Sequence, residues 1–118
     1  MKVLVVEDKS EIAGCLAMVL GELGHEVVHA TSVRKALETL GSSSFDAAVL
    51  DFELGGETSS AVVISLTRRG IPFIISSGRS AGDLPREFAG RPHLRKPYFL
   101  EELEEAVNSC RLRSDPSA

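Results

Sequence analysis

The stretch Val3-Leu4-Val5-Val6-Glu7-Asp8 decides how the rest of the chain is read. Its first four residues are wholly apolar and mostly β-branched, which suits a strand buried on both faces better than the alternation of a half-exposed one. The run stops on two carboxylates. From Glu11 the period changes: Ile12, Leu16, Val19, Leu20 and Leu23 recur at helical spacing, and Gly24 follows as a stop. A buried strand that ends in acid and turns into a helix is the opening of a βα unit.

The same grammar repeats outward. Glu26 to Ala30 reads as a second strand, and Thr31 or Ser32 caps a helix whose Val33, Ala36, Leu37 and Leu40 share a face before Gly41. After the Ser42-Ser43-Ser44 loop, Ala47-Ala48-Val49-Leu50 is a third apolar run and also ends in a carboxylate, Asp51. Glu53 to Glu57 is a loop holding Gly55-Gly56. Thr58 to Ser60 cap a helix through Ala61, Val62, Ile64 and Leu66 as far as Arg69, with Gly70 as its stop. Ile71 to Ile75 is a fourth strand with Pro72 at its start, where a missing N–H is tolerated, and it leads into Ser76-Ser77-Gly78. A short helix is predicted around Pro85 to Ala89. His93 to Arg95 makes a fifth strand ending at Lys96-Pro97. Leu100, Leu103, Val107 and Cys110 mark a last amphipathic helix, with Glu101, Glu102, Glu104 and Glu105 outside. Five strands alternating with five helices predict an α/β fold: right-handed βαβ units and a doubly wound, five-stranded parallel sheet.

Composition narrows the function classes. The 118 residues fit one domain, expected over 1–113 with a disordered tail at 114–118. The net charge is −4 and no basic run exceeds Arg68-Arg69, so a nucleic-acid partner is not expected. No apolar stretch approaches the roughly 20 residues of a membrane span, and the acidic pair arrives too early for a signal peptide. The expectation is a cytoplasmic chain with no membrane partner. Cys15 and Cys110 make no CxxC and read as partly buried, inert thiols. His25, His29 and His93 read as ordinary, partly buried histidines.

In open parallel sheets, ligands sit beyond the carboxyl ends of the strands. Those ends deliver Glu7 and Asp8, Asp51, Ser77 and Lys96 to one rim. Taken singly each has a plain reading: a solvated loop acid, an Asx turn, a surface charge, a turn serine. Their convergence outweighs those readings. Three carboxylates in one cleft repel, and such a cluster raises a pKa or holds a hard cation. Magnesium is the economical choice, with Asp8, Asp51, a loop carbonyl near Glu53 and Glu7 through water as ligands. A carboxylate, a metal, a lysine and a hydroxyl together suit phosphoryl transfer onto Asp51. Glu53 and Arg79, each two residues beyond a strand end, should face one another across the site mouth, where Arg79 would tune the lifetime of a phosphoaspartate.

The chain resembles, from about Lys2 to Arg113, the receiver domain of two-component response regulators. The resemblance is carried by the strand into Glu7-Asp8, by Ala47-Ala48-Val49-Leu50-Asp51, by Pro72-Phe73-Ile74-Ile75-Ser76-Ser77-Gly78 and by Leu94-Arg95-Lys96-Pro97. It implies the flavodoxin-like receiver fold with sheet order 2-1-3-4-5. It implies Asp51 as phosphoacceptor, Mg²⁺ held by Glu7, Asp8 and Asp51, Ser77 as switch hydroxyl and Lys96 as phosphate-binding lysine. The implied partners are a sensor histidine kinase or a histidine phosphotransfer protein and an unidentified output protein. Gly55 to Ser59, Gly70-Ile71-Pro72-Phe73 and Ser77-Gly78 are also similar to a stand-alone receiver subgroup known for its FATGUY motif, although Arg79-Ser80 does not complete it. Three features depart from the usual pattern. The turn after Asp51 lacks the common proline, so it is expected to be mobile. His93 stands where a switch aromatic is usual. The Ser77–Lys96 interval is short, which implies a reduced fourth helix.

The expected function is a stand-alone phosphoacceptor switch that signals by protein contact or drains phosphate in a relay, not an enzyme acting on a separate substrate. Two alternatives differ in kind. A haloacid-dehalogenase-like phosphatase would use Asp51 as nucleophile, but it wants an aspartate where Glu53 stands. A pseudo-receiver would bind partners without phosphorylation, a reading kept open by His93.

Overall fold

In a computed structural model describing residues 1–88 and 90–114, β1 (Lys2–Val6) is the centre from which the sheet is built. Its apolar run pairs in parallel on both sides, Val5 opposite His29 of β2 (Glu26–Ala30) and opposite Val49 of β3 (Ala47–Asp51). Val3, Leu4, Val5 and Val6 are each at most 1% exposed, as a strand covered on both faces requires. Beyond β3 lie β6 (Phe73–Ser77) and β7 (His93–Arg95), giving the order β2-β1-β3-β6-β7, all parallel. This is the predicted 2-1-3-4-5 arrangement. The intervening β4 (Glu53–Leu54) and β5 (Glu57–Thr58) form a separate small hairpin.

Strand alternation divides the core. Leu4, Val6, Ala48, Leu50, Phe73 and Ile75 pack under α2 (Val33–Ser42) and α3 (Ser60–Arg68). Val3, Val5, Val49, Ile74 and Leu94 pack under α1 (Ser10–Glu22) and α4 (Leu100–Ser114). Fully burying one such leucine or isoleucine contributes about 1.5–3 kcal/mol. The helix ends follow local rules. Ser32 caps α2 by accepting the Lys35 N–H at 3.1 Å. α1 and α3 stop in Schellman turns: Gly24 and Gly70 take φ of 91° and 69°, and His25 and Ile71 donate back to the Leu20 and Leu66 carbonyls.

Several expectations are corrected. There are four α-helices among the described residues, not five. The segment after Gly78 makes two single 3₁₀ turns, Ala81–Asp83 and Arg86–Phe88, closed by Asp83 N–H to Ser80 O and Phe88 N–H to Pro85 O. Gly78, Gly82, Pro85 and Gly90 break so short a connection before an i→i−4 ladder can propagate. Ala89, the predicted end of that helix, lies outside the described residues.

The fourth strand begins two residues later than predicted, because its register is set by β3, Ala48 opposite Phe73 and Asp51 opposite Ser76. α2 runs past Gly41 to Ser42. Gly55 and Gly56, with φ of 56° and 85°, close β4 onto β5 in the left-handed conformation a two-residue hairpin turn requires, where a loop was expected. Cys15 is exposed rather than partly buried. Ser114 closes α4, and residues 115–118 of the expected tail lie outside the described residues. Among the described residues no helix is long and apolar enough to cross a membrane.

Candidate functional site

The alternation that sorts the core also assembles the site. Val3 and Val5 lead to Glu7, Ala47 and Val49 to Asp51, Ile74 to Ser76 and Leu94 to Lys96, all by steps of two along strands whose apolar members face α1 and α4. Glu7, although 2% exposed, therefore meets Asp51 and Lys96 at the top of the sheet. The Lys96 ammonium lies 3.1 Å from Asp51 Oδ2 and 3.7 Å from Glu7 Oε2. One carboxylate oxygen each of Glu7, Asp8 and Asp51 falls within 4.8 Å of the others, a spacing that suits a hard cation with oxygen ligands.

Main-chain donors hold the three acids in place. Lys9 N–H donates to Glu7 Oε1 at 3.2 Å, Gly55 N–H to Asp8 Oδ2 at 3.1 Å and Glu53 N–H to Asp51 Oδ1 at 3.3 Å. The β4–β5 hairpin thus supplies two of the three, and its left-handed glycines let the backbone approach. His29 Nε2 lies 2.8 Å from the Glu7 carbonyl oxygen, to which it donates, bracing the turn from β2.

Burial, reinforced by the Asp51 carboxylate, pushes Glu7 up to about 7. The Gly55 N–H holds Asp8 below the usual carboxylate range. Burial opposes the charge on Lys96, but the Asp51 hydrogen bond and the Asp51 and Glu7 charges outweigh it and raise the ammonium's pKa.

Asp8, Asp51, Ser77 and Lys96 line one open cleft of about 370 Å³, together with Glu53 and Arg79. Ser77, 4% exposed, accepts the Arg79 N–H on Oγ at 2.9 Å. The Glu53 carboxylate is turned away from the acidic cluster: Arg79 donates to its Oε1 through Nη2 at 2.9 Å and Nε at 3.2 Å. His93 sits on β7 opposite Ile75, outside the cleft lining, and its Nε2 is buried without a partner. Burial, then the Arg95 charge, lowers its pKa.

Sequence reasoning passed over two side chains. Phe52 lies under Arg79, whose guanidinium carbon is 5.4 Å from the ring centroid, and packs edge-on against Phe88 at 4.9 Å. Tyr98 is packed against the α1/α4 core, and burial raises its pKa, opposed by the Ser76 hydroxyl and the Lys96 charge. Each directly follows a site motif, Phe52 after Asp51 and Tyr98 after Lys96-Pro97, which was the available signal.

No model of a known protein family matches the chain. Solved structures do. SdrG from Sphingomonas melonis Fr1 is 34% identical and covers 93% of this chain and 95% of its own, with a TM-score of 0.80. A CheY-like response regulator receiver domain from Methylobacillus flagellatus is 26% identical over 93% of this chain and 98% of its own, with a TM-score of 0.81. The response regulator TrrA of Thermotoga maritima, solved in complex with Mg²⁺-BeF, is 26% identical over 92% of this chain and 97% of its own, with a TM-score of 0.81. Among curated proteins, the transcriptional regulatory protein YrkP of Bacillus subtilis is 29% identical over 90% of this chain and 47% of its own, so the chain spans about half its length.

Proposed function

Because the chain belongs to the CheY-like response regulator receiver domains, we propose that Asp51 accepts a phosphoryl group from a phosphohistidine on a sensor histidine kinase or a histidine phosphotransfer protein. The observation that carries the reading is the Lys96–Asp51 contact of 3.1 Å inside a cluster of three carboxylates. An Asp51 carboxylate oxygen bonds to phosphorus as the P–N bond of the donor breaks and its electron pair returns to the imidazole. Lys96 already sits beside the attacking carboxylate and draws charge from the phosphoryl oxygens. Ser77 accepts the Arg79 N–H, which leaves its own proton to donate to one of those oxygens.

The donor set fits a magnesium ion: Glu7, Asp8 and Asp51 would hold it, with the Glu53 main-chain carbonyl, and it would neutralise charge gathering on the phosphoryl group. The Mg²⁺-BeF complex of TrrA supports that assignment. On this reading the chain is a phosphoacceptor signalling domain of the cytoplasm, where phosphohistidine donors are charged from ATP. Its output passes through contact with another protein.

The test is intact-mass spectrometry of wild type and Asp51→Asn after incubation with acetyl phosphate, with and without Mg²⁺. One phosphoryl adduct that requires Mg²⁺ and Asp51 is expected. A folded wild type that gains no mass under either condition would overturn the reading and leave a receiver fold working without phosphorylation.

A further inference from the structure

The α2–α3 face carries a feature that phosphoryl chemistry does not use. On α3, Ala61, Ile64 and Arg68 follow one another at helical spacing on the outer surface, and Leu37 of α2 stands beside them. Ile64 is 47% exposed and Leu37 37% exposed. These residues, with Ser65 and Arg69, line an open trough of about 350 Å³ between the two helices. Arg69 also borders a second cleft of about 530 Å³ at the helix ends, floored by Leu40, Phe45 and Ile71.

The charge of this face opposes that of the molecule. The chain carries −4 overall, but the charged residues of α2, α3 and the α3 C-cap are Arg34, Lys35, Arg68 and Arg69 against one acid, Glu38. Glu38 is taken by Arg34 at 3.1 Å. The Arg69 side chain donates to the Ser65 hydroxyl, and neither Arg68 nor Arg69 has an acidic partner among the described residues. An apolar trough with a basic rim asks for an occupant with an apolar stripe and acidic flanks.

We propose that the α2–α3 trough docks an acidic amphipathic helix of a partner protein, its apolar residues seated on Leu37, Ala61 and Ile64 and its carboxylates paired with Arg68 and Arg69. The Ala61-to-Arg68 stripe spans about two helical turns, which matches anchors spaced i, i+3 or i+4, i+7. A second copy of this chain is the poorer occupant. Its acidic helix, α4, buries Leu103, Val107 and Cys110 completely in its own core, and among the described side chains its large exposed apolar groups are Phe99 and Leu100 at its start. The trough shares no lining residue with the Asp51 cleft, so this docking stands or falls separately from the phosphoacceptor reading.

The test titrates the ¹⁵N-labelled full chain with a synthetic amphipathic peptide of leucine anchors and glutamate flanks, and with its twin carrying lysine for every glutamate. Saturable amide shifts centred on Leu37, Ala61, Ile64 and Arg68 are expected with the glutamate peptide alone. Ile64→Glu and Arg68→Glu, both at exposed positions, should each weaken binding by about tenfold while leaving the melting temperature within a degree or two. Equal binding of the lysine twin, shifts centred elsewhere, or unchanged affinity in both variants would overturn the proposal. Peptide-free shifts on α2, α3 and α4 that grow with protein concentration would also overturn it, by assigning the trough to a second copy.

Discussion

Arg79 closes over Glu53 in a two-nitrogen contact, 2.9 Å from Nη2 and 3.2 Å from Nε to the same carboxylate oxygen, while its guanidinium rests on the Phe52 ring. Both residues line the Asp51 cleft, so on the phosphoacceptor reading the pair would stand near a phosphoaspartate. Both side chains are more than half exposed, and such pairs contribute about 0.2–1 kcal/mol. Arg79→Ala is therefore expected to shorten the phosphoaspartate lifetime by about two- to fivefold, with a smaller change in the rate of phosphorylation by acetyl phosphate. A decay assay on the purified phosphoprotein measures the first quantity and mass spectrometry the second; equal lifetimes would remove the role assigned to Arg79.

The three-carboxylate cluster predicts a thermal effect of magnesium that requires no phosphoryl donor. A cation that binds only the folded state at ten times its dissociation constant adds about 1.4 kcal/mol, or about 5 °C in a chain of this length. Calorimetry of wild type should show that increment with Mg²⁺. Asp8→Asn removes one member of the cluster and should lose most of it, whereas Glu57→Gln, on the exposed side of the hairpin, should keep it.

Glu7 gives the metal-free protein a pH dependence of definite sign. Its folded pKa, about 7, lies above the ordinary 4.5. The folded state therefore binds the proton more tightly, and the associated stability is complete below pH 4.5 and lost as pH rises through 7. The shift corresponds to at most about 3 kcal/mol. Glu7→Gln should be more stable than wild type at pH 7.5 without metal, and the difference should vanish near pH 4.5. Melting curves in chelator across that range measure it, and a gap independent of pH would contradict the assignment.

Much of this site was legible because strand periodicity is local. The apolar runs that end at Val6, Leu50 and Ile75 made the strands readable, and the parity of a strand then carries Glu7, Asp51 and Lys96 to one side. Ser32 as a cap, and Gly24 and Gly70 as stops, follow from the same short-range rules. What sequence did not show depends on partners far along the chain. The start of β6 is set by its register with β3, not by Ile71-Pro72. The β4–β5 hairpin has no alternating flanks to announce it, since only Leu54 is buried there, and it is held by Asp8, 47 residues away. Phe52 and Tyr98 acquire a role only when Arg79 and Ser76 arrive beside them.

His93 supplies a second pH effect, opposite in sign to that of Glu7. Its Nε2 is buried without a hydrogen-bond partner, and burial with the nearby Arg95 charge lowers its pKa from 6.5. The unfolded chain therefore takes up the proton first, so the stability that neutral His93 contributes is present above pH 6.5 and declines as pH falls below it. His93→Phe removes both the titration and the unpartnered nitrogen while preserving an aromatic ring on β7 opposite Ile75. It should match or exceed wild type in melting temperature at pH 7.5, and its advantage should grow between pH 6.5 and 5. Parallel melting curves for the two proteins would mean that the imidazole is solvated in the fold and that its charge is not excluded there.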